Sequence, residues 1–202
     1  MSAEAVVRAA LRAHLLTSTA GAQDAVEELW VPRSHERADL AVLGRTMDGF
    51  EIKTDRDTLR RLPRQIGAYG RLFDRCTVVI AEKHCEKATG LVPAWWGMTT
   101  IAVNGCVSFE TVRKPRQNPG PDPETLVRLL WRDEAMMALR ELGAEPDPKA
   151  HRASLWSELL ATTTLPQLRR AVRGALIGRD ATQARIATRR FSSSLTAATA
   201  RP

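Results

Sequence analysis

Cysteine is scarce in this chain, and the three present, Cys76, Cys85 and Cys106, are widely spaced and odd in number. That excludes a disulfide-built secreted scaffold and predicts reduced, partly buried thiols in a cytoplasmic protein. No apolar run approaches the roughly 20 residues that cross a bilayer. The start of the chain, with Glu4, Arg8, Arg12 and His14 inside an amphipathic pattern, does not read as a signal peptide. A Gly-rich phosphate loop, a zinc-spaced Cys/His set and a nucleophile elbow are all missing, so those three chemistries have no foothold. Acids are missing from residues 181–202 altogether.

What is present is unevenly charged. The formal net charge of +7 resides wholly in residues 151–202, where nine arginines face only Glu158 and Asp180, while 1–150 carry 21 basic and 21 acidic side chains. A concentrated basic segment suits a polyanion, so the expected partner is nucleic acid, DNA before RNA. No membrane partner is expected, and a homodimer is left open. Hydrophobic residues are 44% of the 202, enough for a globular protein with its own core.

Periodicity divides the chain into elements. Val6, Val7, Ala10, Leu11 and Leu15 recur at helical spacing over 3–16. Residues 26–31, 38–43, 49–53 and 76–81 read as strands, and 97–112 as a hairpin turning at Asn104-Gly105. Four prolines between Pro115 and Pro123, with Asn118-Pro119-Gly120 among them, predict a linker. One helix is expected over 123–142, another around 155–160, and a third beginning after Thr164 as its cap. The resulting plan is an α/β core over 1–114, a linker over 115–123, a helical basic extension over 124–180 and a disordered basic tail over 181–202.

The segment with chemical potential is Glu51-Ile52-Lys53. Alternation over 49–53 puts Phe50 and Ile52 on one face of a strand and Glu51 and Lys53 on the other. The preceding run 38–43 holds Asp39, and Gly44-Arg45-Thr46 with Asp48-Gly49 makes a hairpin the shortest connection. A turn centred on Arg45 sets Asp39 opposite Glu51, with Cβ atoms roughly 4.5–5.5 Å apart; a turn centred on Asp48-Gly49 does not. We favour the first because it gathers the polar groups at one point. Paired carboxylates repel unless a cation lies between them. Mg²⁺ or Mn²⁺ takes oxygen ligands from one or two carboxylates and leaves room for phosphate and water. A lysine beside such a pair can offset charge on an attacked phosphate. Downstream, Pro63 opens a helix in which Ile66, Tyr69 and Phe73 share a face and Gln65 lies in the first turn.

Glu28-Leu29, Ala38-Asp39-Leu40, Gly49-Phe50-Glu51-Ile52-Lys53 and Pro63-Arg64-Gln65 together resemble the PD-(D/E)XK nuclease superfamily, and within it a group of bacterial and phage proteins. The similarity runs from about residue 20 to about 180 and includes Trp95-Trp96-Gly97. It implies a restriction-endonuclease-like core, a mixed central sheet flanked by helices, with a C-terminal helical extension. It further implies a metal-dependent nuclease in which Asp39 and Glu51 bind Mg²⁺ or Mn²⁺, Lys53 assists attack, and Glu28 and Gln65 complete the site. Ala38 stands where that pattern often has proline. Glu27 adjoins Glu28, and the choice of Glu28 rests on the Leu29 that follows it. Arg60, Arg61 and Arg64 beside Gln65, and Arg169, Arg170 and Arg173 in the basic extension, are the candidate nucleic-acid contacts. Of Trp95 and Trp96, one ring is expected in the core; His84 is expected to end its strand, and His35 to lie in the loop before Asp39.

Overall fold

Both faces of the strand that carries Phe50-Glu51-Ile52-Lys53 are covered. A computed structural model describes residues 3–19, 21–104 and 106–179. Six strands, β1 (Asp24–Trp30), β2 (Arg37–Leu43), β3 (Met47–Lys53), β4 (Arg75–Ala81), β5 (Gly97–Asn104) and β6 (Cys106–Arg113), form one sheet in chain order. β1, β2 and β3 run antiparallel, β3, β4 and β5 run parallel, and β6 returns antiparallel to β5. Each parallel pair needs a crossover. The first is a 3-10 turn (Leu59–Arg61) and helix α2 (Leu62–Tyr69); the second is a turn (Glu82–His84) and α3 (Cys85–Thr89). The class is therefore mixed α/β, a six-stranded mixed sheet flanked by helices.

Helix α1 (Ala3–Ser18) covers one face, where Val7 and Leu11 pack on Leu40, Val42, Phe50, Ile52 and Val79. The other face meets α2 and four C-terminal helices, α4 (Pro123–Val127), α5 (Arg132–Glu141), α6 (Arg152–Thr162) and α7 (Leu165–Ile177). Leu126, Leu155, Leu168 and Val172 belong to the same apolar cluster as Met47, Val78 and Ile80 of the sheet. Gly49 is required in β3 because a Cβ there would lie 2.4 Å from the Phe73 ring. Trp96 is the buried one of the tryptophan pair, fully enclosed. The β5–β6 register runs as far as the Asn104–Cys106 pair, and Gly105, named with Asn104 as the expected turn, lies outside the described residues.

Two expectations are modified. The proline-rich stretch has no regular element, yet it is tied down: Asn118 Nδ2 donates to Gly70 O and Phe73 O, both at 2.7 Å, and its N–H donates to Asp74 O. The single helix expected over 123–142 is broken between α4 and α5. Its periodicity missed the side chains that stabilise the break: Trp156 Nε1 donates to Leu130 O at 3.1 Å, Arg179 to Leu129 O at 2.6 Å, and Glu134 accepts from Trp131 N at 2.7 Å. Thr164 does open α7, with Gln167 Oε1 accepting from its N–H at 2.9 Å. The tail 181–202 lies outside the described residues.

Asp74 joins the sheet to the C-terminal helices. Its buried carboxylate accepts from Met47 N at 2.8 Å and pairs with Arg169 at 2.8 Å and Arg173 at 3.9 Å. Removing one partner of a buried charge cluster leaves the others unpaired, which costs about 3 kcal/mol or more. Asp74→Ala is expected to lower the urea midpoint accordingly, with Asp74→Asn, which can still accept from Met47, losing less. Equal midpoints for wild type and Asp74→Ala would show that α7 is held by apolar packing alone.

Candidate active site

The β2–β3 register follows the turn centred on Arg45: Leu40 pairs with Phe50, Ala41 with Gly49 and Leu43 with Met47. Continued by one residue, it sets Asp39 across from Glu51. The ladder opens there, because the Asp39 carboxylate, rather than a backbone carbonyl, accepts from Ile52 N–H at 2.7 Å. Glu51 and Lys53 point toward α2 and are buried, at 1% and 8% exposure. This strand face is not a solvated one. Pro63 in the first turn of α2 sets the helix over it, so that Gln65 and Tyr69, one turn apart, reach down to the same carboxylate.

Glu51 Oε1 accepts from Lys53 Nζ and Gln65 Nε2, and Oε2 contacts the Tyr69 hydroxyl. That hydroxyl also lies 2.7 Å from Arg37 O on β2. Burial is the largest influence on Asp39 and pushes its carboxyl up to about 7; the neighbouring Glu51 charge adds to the rise, while Ile52 N–H, Lys53 and Arg8 oppose it. Burial raises Glu51 as well, against the pull of Lys53, Tyr69 and Gln65. Two acids whose ionised forms are both disfavoured, beside one ammonium, are poised to accept a cation.

The structure thus brings together Asp39, Glu51, Lys53 and Gln65 from the expected set, and it adds Tyr69. By the sequence pattern Tyr69 shares one helix face with Ile66 and Phe73 and has no site role; its place four residues after Gln65, on the same side of α2, was the available signal. Glu28 is placed differently. Its backbone has φ of 51°, a left-handed conformation unusual for a side-chain-bearing residue. Its half-exposed carboxylate holds Arg8 at 2.9 Å and Arg37 at 3.0 Å. Arg8, from α1, lies between Glu28 and Asp39 and interacts electrostatically with both. Glu28 therefore acts on the site through Arg8. Glu27 is exposed.

Of the arginines, Arg60, Arg61 and Arg64 are exposed beside Gln65, with Arg61 paired to buried Glu36 at 2.7 Å. Arg170 is exposed. Arg169 and Arg173 are not part of an open basic face: both turn inward to Asp74. Arg179 likewise pairs with Glu134 and covers the Trp131 ring. Arg185, Arg189, Arg190 and Arg201 lie outside the described residues.

A hard divalent ion fits this donor set. Gln65 Oε1 is buried and receives no hydrogen bond, because the amide nitrogen is turned to Glu51. With Asp39 and Glu51 it offers three side-chain oxygens. Among the described residues no group of three or more His, Cys, Asp or Glu is placed to hold a metal ion; Mg²⁺ takes one or two carboxylates and keeps water and phosphate at its remaining positions.

The raised Asp39 value has a thermodynamic sign. The folded chain holds this proton more tightly than the unfolded one, so the contribution is stabilising at low pH and is lost as pH rises from about 4 to about 7. Asp39→Asn should therefore gain stability relative to wild type across that window, by about 2–4 kcal/mol at pH 8 compared with pH 4. Urea unfolding at both values reads this out; a difference independent of pH would mean that Asp39 titrates normally.

The profile of the family described as Bacteriophage P4 protein cII matches residues 1–197. Protein cII of Enterobacteria phage P4 is 28% identical over 138 residues, covering 68% of this chain and 52% of the phage protein. The chain thus spans about half the length of that curated relative. A solved structure of a protein of unknown function from Silicibacter pomeroyi aligns with a TM-score of 0.46 and 23% identity, over 75% of this chain and 96% of that one. No helix among the described residues is long and apolar enough to cross a membrane. On the profile match, which covers nearly its whole length, the chain belongs to the Bacteriophage P4 protein cII family.

Proposed function

We propose that this protein is a metal-dependent nuclease with a restriction-endonuclease-like core, hydrolysing phosphodiester bonds in nucleic acid, DNA in preference to RNA. The observation that carries the reading is the convergence of Asp39, Glu51, Lys53 and Gln65 where β2 and β3 separate. Asp39, Glu51 and Gln65 Oε1 would hold Mg²⁺ or Mn²⁺, and such an ion, when bound, supplies Lewis acidity to the scissile phosphate and to water. Lys53, anchored by Glu51, presents an ammonium charge that offsets negative charge developing on the phosphate. Gln65 and Tyr69 hold the Glu51 carboxylate in one orientation, and Arg8 limits the charge on the Asp39 side. Exposed Arg60 and Arg64 flank the helix start and would grip the backbone of the polymer.

One observation favours a second reading, a catalytically silent nucleic-acid-binding module: both Glu51 oxygens already have protein partners. Supercoiled, linear and single-stranded DNA incubated with Mg²⁺ separates the two. Cleavage is expected from wild type and should fall at least 100-fold in Asp39→Ala and Lys53→Ala, in line with the loss of a positioned charge. Equal cleavage by all three proteins would identify a contaminant, and no cleavage by any would favour the silent module, whose binding should survive loss of Glu51.

A reading independent of turnover follows from the raised Asp39 value. Mg²⁺ should raise the melting temperature of wild type at pH 8, much less at pH 5.5 where Asp39 keeps its proton, and not at all in Asp39→Asn. A shift that persists in Asp39→Asn would place the ion elsewhere.

A further inference from the structure

A cavity of about 360 Å³ lies between the β1–β2 connection and the C-terminal helices, lined by Trp30, Pro32, Arg33, Ser34, His35, Arg128 and Trp156. It is distinct from the carboxylate site but shares its edge of the sheet. Trp30 pairs across the ladder with Arg37, two residues from Asp39, a separation of about 7 Å along the strand. The connection is built rather than loose. Val31 N donates to Glu36 O at 3.0 Å, Ser34 Oγ donates to Val31 O at 2.8 Å, and Glu36 N donates back to Ser34 Oγ at 3.1 Å. On the far wall Trp156 is fixed by its bond to Leu130 O.

Two aromatic rings and several cations share this concavity. The guanidinium carbons of Arg128 and Arg152 sit 5.2 and 4.7 Å from the Trp156 ring centre. Burial, and then the neighbouring Arg128 charge, lower the pKa of Arg152. On the other side Arg33 is balanced by Glu124 at 2.6 Å and Asp122 at 3.5 Å. The positive field is therefore concentrated at the Trp156 wall, where Arg128 is exposed.

We infer that this pocket receives an unpaired base and its phosphate from single-stranded DNA, the base against the half-buried Trp30 and the phosphate against exposed Arg128, whose guanidinium lies over the buried Trp156 ring. The inference rests on the nucleic-acid reading above and deepens it by naming the form of the substrate. Aromatic side chains stack on any exposed base, since every base has a π-face. A paired base offers only its edge, its faces being covered by its neighbours, so a duplex has nothing to insert. The cavity lies at the small end of the roughly 300–1,000 Å³ of ligand pockets, a size suited to one base.

The test is fluorescence anisotropy with a labelled oligothymidylate of about twelve nucleotides, in EDTA so that no cleavage intervenes. Arg128→Ala and Trp30→Ala should each weaken binding by about tenfold, with Trp30→Phe near wild type. Arg128→Ala should also reduce the salt slope by about 0.7, the loss of one single-strand phosphate contact. Arg128 is exposed, so its variant tests the pocket even where Trp30→Ala fails to fold. A matched duplex should bind the variants and the wild type alike. Wild-type failure to bind the oligonucleotide, unchanged affinity in Arg128→Ala, or an equal loss on duplex overturns the inference. Cleavage by wild type alongside unchanged Arg128→Ala affinity sinks the pocket alone. The expected binding pattern without cleavage sinks the hydrolytic reading alone.

Discussion

A carboxylate withdrawn from water must find donors or a cation, and Glu51 is the point where this chain meets that demand. Its partners come from its own strand and from the helix laid over it, so the position of α2 and the state of Glu51 are one problem. Tyr69 links the two scales. Its hydroxyl touches Glu51 and the backbone of β2, while its ring packs edge-on to Phe73 and stacks on fully buried Trp96 with centroids 5.8 Å apart. The polar site is therefore fastened to the apolar core rather than displayed on a loop. That arrangement favours a fixed geometry, the condition under which a preorganised charge has most effect.

Strands β1 and β2 show how the opening is made. At Asp39 a side chain replaces a ladder acceptor, and directly across from it on β1 Glu28 adopts a left-handed backbone. Ladder irregularities of this kind tend to occur beside functional sites, where they re-aim side chains. Here the result is that Arg8 from α1 enters between the two acids. The acid at position 28 thereby holds two arginines, Arg8 and Arg37, a role that residue type alone could not reveal.

Legibility varied with how local the governing physics was. The β2–β3 hairpin and the facing of Glu51 and Lys53 were readable, because strand alternation and turn residues are local. The buried character of that face was not, since it depends on α2 and on helices more than 70 residues downstream packing over it. The same limit explains the helix expected over 123–142. Its apolar spacing is continuous, but Trp156 and Arg179, remote in sequence, stabilise the interruption. The basic C-terminal segment was readable as a charge excess, whereas its use was not: Arg169, Arg173 and Arg179 neutralise buried or half-buried acids instead of forming a surface.

The sequence by itself determined the six strands in chain order, the alternation that puts Glu51 and Lys53 on one face, and the helix start that carries Gln65, because period and proline act over a few residues. Only the tertiary structure decided that Tyr69 completes the Glu51 cluster, that Arg8 separates Glu28 from Asp39, and that Trp30 and Trp156 share a cavity. These are meetings of segments far apart in the chain. They are set by which faces the core must bury and which charges must be paired once it is closed, and no local pattern encodes that outcome.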